Sequence, residues 1–175
     1  ARVILSDEQA KEIQKYYDRC AEQGSTQEQI EESQRAMAQM RAILGHPDRL
    51  KKLATDIVRH YEALCAEKPE IVQKAMIVCS DRAVAFRLLQ EILVVRPEWG
   101  EKHRTEDESA LTKEQLDKLM PLPKINLVAT QGANDEKELF DACGTKEYRK
   151  MLDRQFKNNN SNFKIAVVVD MWITG

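Results

Sequence analysis

Apolar residues recur along this chain with two different periods, and the change of period divides it. From Ser6 to Cys65 they return every three or four positions, the spacing that lines one face of an α-helix. Ser6 with Gln9 makes a capping-box pattern, Ala10, Ile13, Tyr16, Tyr17 and Cys20 follow, and Gly24 ends the segment. Ser25 with Glu28 opens a second helix whose face carries Ile30, Met37, Met40, Ile43 and Leu44, closed by Gly45. Pro47 stands where a first helical turn tolerates proline. Leu50, Leu53, Ala54, Ile57, Tyr61, Leu64 and Cys65 then form the clearest helical stripe.

Beyond residue 70 the pattern shortens. KAMIVC (74–79), KINLVAT (124–130) and FKIAVVVD (163–170) are short, nearly continuous apolar runs of the kind that suits strands buried in a parallel sheet. Between the first two lies SDRAVAFRLLQEIL, with helical spacing at Val84, Leu88, Leu89 and Ile92. RPEWGEKHRTEDES reads as a loop, and Thr112 with Gln115 caps a short helix through Leu119. After the second run, QGANDEKELF predicts a turn and a short helix. Thr145 caps another helix carrying Tyr148, Met151, Leu152 and Phe156, and NNNSN is a turn. Helices followed by βα, βα and β predict an α/β fold: a parallel sheet with right-handed crossovers, flanked by helices and preceded by a helical extension. The expected division is a helical segment over 1–70 and a sheet-bearing domain over 71–175.

Composition narrows the class. Apolar residues make up 42% and charged residues 32%, as in a globular domain rather than a disordered chain. No apolar run approaches the roughly 20 residues a membrane helix needs, and ARVILSDEQ does not read as a signal peptide. The net charge of −2 gives no hint of nucleic acid, so any DNA is expected to bind through a local patch or with help from parts outside this sequence. Cys20, Cys65, Cys79 and Cys143 lie far apart without a CxxC pair, which predicts unpaired thiols in a reducing cytosol. The chain does not begin with Met, and VVVDMWITG reads as a strand with an unfinished turn; the expectation is a piece of a longer protein.

In open α/β sheets, ligands bind beyond the carboxyl ends of the strands. Here those ends supply Ser80, Asp81 and Arg82, then Thr130 and Gln131, then Asp170, Thr174 and Gly175. Hydroxyls, backbone N–H groups and an arginine at one edge hold phosphate oxygens. The plainer alternative is that Ser80 caps the following helix and Asp170 caps a turn. His46, His60 and His103 are scattered, no His/Cys cluster has metal spacing, and no GxxxxGK[ST] phosphate loop occurs. Glu31 with Glu32, and the run from Glu106 to Glu108, read as solvated faces or loops. Trp99 and Trp172 are expected to be buried rather than stacked on bases.

KIAVVVDMWITG (164–175) resembles motif V of superfamily 2 helicases, in the form found in the motor subunit of type I restriction enzymes. KAMIVCSDRAVAFRLLQEI resembles the motif IV strand and helix of the same second RecA-like domain, and HPDRLKKLATDIVRHYEAL is similar to the helix leading into it. The resemblance covers residues 47–175. It implies that Ser80, Asp81, Arg82 and Thr130 lie along a DNA-backbone track, and that Thr174 touches a DNA phosphate. It also implies that Asp170 and Gly175 face the ATP side of the cleft between two motor domains. ATP and Mg2+ would serve the parent protein. Double-stranded DNA, the modification and specificity subunits and the first motor domain would be the partners, in the cytoplasm. The Walker motifs would belong to the first motor domain, the arginine-bearing motif VI would lie beyond Gly175, and no catalytic or metal-binding residue is expected in this stretch. Another superfamily 2 translocase, or a non-catalytic α/β interaction domain, are the alternatives.

Overall fold

The computed structural model describes residues 32, 35–36, 38–40 and 43–169. The helices expected before residue 32, and the motif V residues 170–175, lie outside the described residues. The chain divides into two compact units, Ala1–His46 and Pro47–Gly175. In the first, the described residues from Glu32 to Leu44 are helical. Among the described residues no helix is long and apolar enough to cross a membrane.

The second unit opens with α1 (Pro47–Glu67), begun by its proline. Leu50, Ala54, Val58 and Tyr61, at intervals of three and four, are buried, while Leu64 from the expected stripe is 38% exposed. Tyr61 packs edge-on against Trp99, centroids 5.5 Å apart, and donates its hydroxyl to the Gln73 carbonyl at 2.9 Å. Trp99 is buried, as expected, in a 3-10 turn (Pro97–Gly100) that opens the predicted loop.

Three strands follow: β1 (Ala75–Cys79), β2 (Ile125–Val128) and β3 (Ile165–Val169). All pair in parallel, in the order β1-β3-β2, so the last strand in sequence lies in the centre. Its five apolar residues IAVVV are buried but for the partly exposed Val169. Edge strand β1 exposes Met76 and Val78 on one side.

Helix α2 (Arg82–Val95) joins β1 to β2, crossing β3 on one face of the sheet, and buries Val84, Ala85, Leu88, Leu89 and Ile92. It packs with α1 over Ile125, Leu127, Ile165 and Val167. The return from β2 to β3 runs the opposite way across the sheet. A right-handed crossover then needs its helix on the other face. There Leu152 of α5 (Lys146–Lys157) packs with Leu122, Val128, Phe163, Ala166 and Val168. Two short helices complete the unit. Helix α3 (Lys113–Asp117) is started by the full Thr112/Gln115 capping box, and α4 (Lys137–Cys143) ends at Gly144, whose φ of 60° suits glycine. The result is the α/β class expected, a parallel sheet flanked by helices, as a RecA-like domain requires.

Candidate functional site

The parallel arrangement brings the ends of β1, β2 and β3 to one edge. There Ser80, Asp81, Arg82, Thr130 and Arg149 surround a cleft of about 340 Å³ floored by Val128, Ala129 and Val169. Four residues singled out from the sequence therefore meet: Ser80, Asp81 and Arg82 after β1, and Thr130 after β2. Gln131 turns away to donate to the Phe140 carbonyl at 3.0 Å. Asp170, Thr174 and Gly175 lie outside the described residues.

The helix cap belongs to Asp81, not to Ser80. Asp81 stands in extended backbone at the N-cap of α2, and its Oδ1 accepts the Val84 N–H at 2.9 Å. Ser80 is exposed, and its hydroxyl donates to Asp81 Oδ2 at 3.3 Å. Asp81 is thus tied to its own backbone, while Ser80 and Thr130 line the cleft beside it.

Arg82 spans two strand ends. One Nη donates to the Thr130 carbonyl at 3.2 Å, and the other pairs with Asp135 Oδ1 at 3.0 Å. The second Asp135 oxygen accepts the Gly132 N–H at 2.6 Å, closing the QGAND turn. The turn lies tight against that guanidinium: a Cβ at residue 132 would sit 2.2 Å from Arg82 Nη2 and would push this flexible side chain aside. Arg149, the second guanidinium of the cleft, donates to the Gly144 carbonyl at 3.0 Å. Sequence reasoning missed Gly132, Asp135 and Arg149. Only the turn signal of QGAND hinted at the first two.

Two thiols lie close by, and neither is activated. Burial, aided by the Asp81 charge, pushes Cys79 up to about 11. Burial and Asp135 raise Cys143, against the pull of Arg82 and Arg149. Both stay protonated near neutrality and are poor nucleophiles. Among the described cleft residues Ser80 has a carboxylate neighbour but no histidine. Hydroxyl residues and a guanidinium at one edge can bind an anion.

Two curated relatives resemble the chain. The "Type I restriction enzyme HindI endonuclease subunit" of Haemophilus influenzae is 32% identical over 134 residues, which span 76% of this chain and 11% of that protein. The "Putative type I restriction enzyme MjaIXP endonuclease subunit" of Methanocaldococcus jannaschii is 28% identical over 165 residues, 94% of this chain and 13% of that protein. No family model and no solved structure matches the chain. The chain spans only 11–13% of the length of these relatives, and the similarity runs over most of the chain itself: it belongs to the family of type I restriction enzyme endonuclease subunits.

Proposed function

We propose that this chain is part of the second RecA-like motor domain of an ATP-driven DNA translocase and endonuclease, and that the strand-end cleft is part of its DNA-backbone track. The observation that carries the reading is that two hydroxyl residues, Ser80 and Thr130, and two arginines, Arg82 and Arg149, line one cleft at one edge of a parallel sheet. Such a set suits phosphate oxygens, which position a duplex without reading its sequence. Modification and specificity subunits, and the first motor domain, are the partners this reading implies.

ATP and Mg2+ serve the parent protein in this reading. The described residues do not fit a nucleotide of their own: the sequence has no phosphate loop, and Asp81 is committed to its helix cap. Asp170 and Gly175 on the ATP side, and Thr174 on a DNA phosphate, complete the proposal. The isolated chain is expected to show no ATPase and no nuclease activity.

The test is made in the full-length subunit assembled with its partners. Replacing Ser80 by Ala and Thr130 by Val together should slow DNA-stimulated ATP turnover and translocation, with the melting temperature nearly unchanged. Each lost neutral hydrogen bond is worth about 0.5–1.5 kcal/mol, but it recurs at every step along the DNA. Unaltered translocation in the double variant would overturn the reading.

A further inference from the structure

On the reading of the cleft as part of a DNA track, we infer that Arg149 is the residue through which the cleft grips a phosphate of duplex DNA, while Arg82 is a strut between two strand-end loops. The two arginines border the same cleft, yet their surroundings divide the work between them. Arg82 spends its guanidinium inside the protein. It bonds the Thr130 carbonyl, pairs with Asp135, and lies so close to the Gly132 backbone that a side chain there would displace it. The Asp135 carboxylate, only 8% exposed, offsets its charge.

Arg149 has a different partner. Its one hydrogen bond runs to a neutral carbonyl, that of Gly144, at 3.0 Å. Among the described residues no carboxylate lies within ion-pair distance of it. A guanidinium carries five N–H donors, so one carbonyl bond orients the group, and among the described residues nothing else takes its charge or its remaining donors. The anchor itself is well defined. Gly144 has φ of 60°, and a Cβ there would lie 2.4 Å from the Tyr148 ring, so glycine lets the aromatic ring close over the turn whose carbonyl holds Arg149. Ser80 and Thr130 stand in the same cleft to share the phosphate oxygens. A planar fork with two parallel donors fits a phosphate better than a lysine would.

The experiment titrates the full-length subunit, assembled with its partners, against a labelled duplex oligonucleotide at several salt concentrations, with melting temperatures measured alongside. Arg149→Ala should weaken binding by about tenfold, as for a charge-assisted hydrogen bond, and lower the log–log salt slope by about one. Its melting temperature should hardly move. Arg149→Lys should keep most of the salt slope, because the charge stays, and recover part of the affinity. Arg82→Ala should lower the melting temperature and leave the slope in place. A slope lost on Arg82→Ala and kept on Arg149→Ala overturns the inference. So does unchanged binding by Arg149→Ala when Ser80→Ala and Thr130→Val weaken it, a result that spares the DNA-track reading. If the assembled subunit binds duplex without salt dependence, or not at all, or if none of these variants alters binding, the DNA-track reading falls and the role of Arg149 with it.

Discussion

The two edges of the sheet carry similar numbers of basic residues and hold them with different numbers of donors to spare. At the N-terminal edge, Lys74, Lys164 and Lys124 immediately precede β1, β3 and β2, and the register of Ala75, Ile165 and Ile125 sets them side by side. Each has an internal partner. Lys74 donates to the Phe156 carbonyl in the last turn of α5, Lys164 to the Asn159 carbonyl at 2.6 Å, and Lys124 to Glu106 at 2.8 Å. Lys124 also lies 5.9 Å from the ring centres of both Tyr61 and Trp99. At the C-terminal edge Arg82 is committed to the Thr130 carbonyl and Asp135, Ser80 donates to Asp81, and Arg149 makes a single bond, to the Gly144 carbonyl. A row of cations is therefore no site by itself. Two of the lysines satisfy carbonyls at and just after a helix C-terminus, where positive charge is favoured, and the row holds the fold together. At the opposite edge Arg149 has one hydrogen bond for its five N–H donors, the contrast on which the proposed phosphate grip rests.

The sharpest way to break this contrast is to remove the central lysine. Lys164 is 7% exposed, and Lys164→Ala takes away a charged hydrogen bond worth about 1.5–3 kcal/mol. The variant should unfold at clearly lower denaturant concentration and still bind duplex DNA with the parent salt slope. A change in slope without a change in stability would make the N-terminal edge the ligand-facing one.

Gly132→Ala should cost somewhat less, about 1–2 kcal/mol, and it acts at the other edge. The new methyl meets the end of a flexible side chain, so Arg82 can swing away, but only by giving up its hydrogen-bonded charge pair with Asp135. Denaturant melts of this variant and of Arg82→Ala should lose nearly the same stability, and the double variant should lose little more. Additive losses would mean that Arg82 is not the strut beneath that loop.

The contrast between edges was only partly legible in the sequence. The three strands were, because KAMIVC, KINLVAT and FKIAVVVD are apolar runs bounded by turn residues, and so were the helices begun at Pro47, Thr112 and Thr145. The central place of β3 was not. AMIVC and IAVVV look equally apolar, and only packing leaves Met76 and Val78 of the former exposed. Ser80 and Asp81 could each cap α2 as far as sequence tells; backbone geometry gives the cap to Asp81. The strand-end residues Ser80, Asp81, Arg82 and Thr130 were found because a parallel sheet must bring its carboxyl ends together. Arg149 was hidden inside KEYRKMLDRQFK, where several basic residues share one helix and nothing local marks the one that reaches the cleft. Asp135 was hidden too, since its partner Arg82 belongs to a different βα unit.

The smallest expected effect is a pH dependence at the N-terminal edge. The Lys124 ammonium beside Glu106 holds that carboxyl below its usual range, against the opposing effect of burial, and Lys164 adds to the pull. In return Glu106 resists the lowering that burial imposes on Lys164, to which Lys74 and Lys124 contribute. A carboxyl whose folded value lies below its unfolded value stabilises the fold above the unfolded value, and that contribution is lost as pH falls through the folded one. The Glu106 contribution should therefore be complete near neutrality and fade below about pH 4.5, the ordinary glutamate value. Because the Glu106 side chain is 58% exposed, water screens the pair, and its worth is about 0.2–1 kcal/mol. Glu62, held low by its hydrogen bond from Arg96, and Asp107, held low by Ser109, fade in the same acid range, so the slope of the unsubstituted protein alone is not diagnostic. The difference between that protein and Glu106→Gln is. Denaturant melts from pH 7 down to pH 3 should show the variant less stable at neutrality, with the two curves converging in acid. A constant gap across the range would mean that Glu106 acts through packing rather than charge, and that the lysine row holds its place without it.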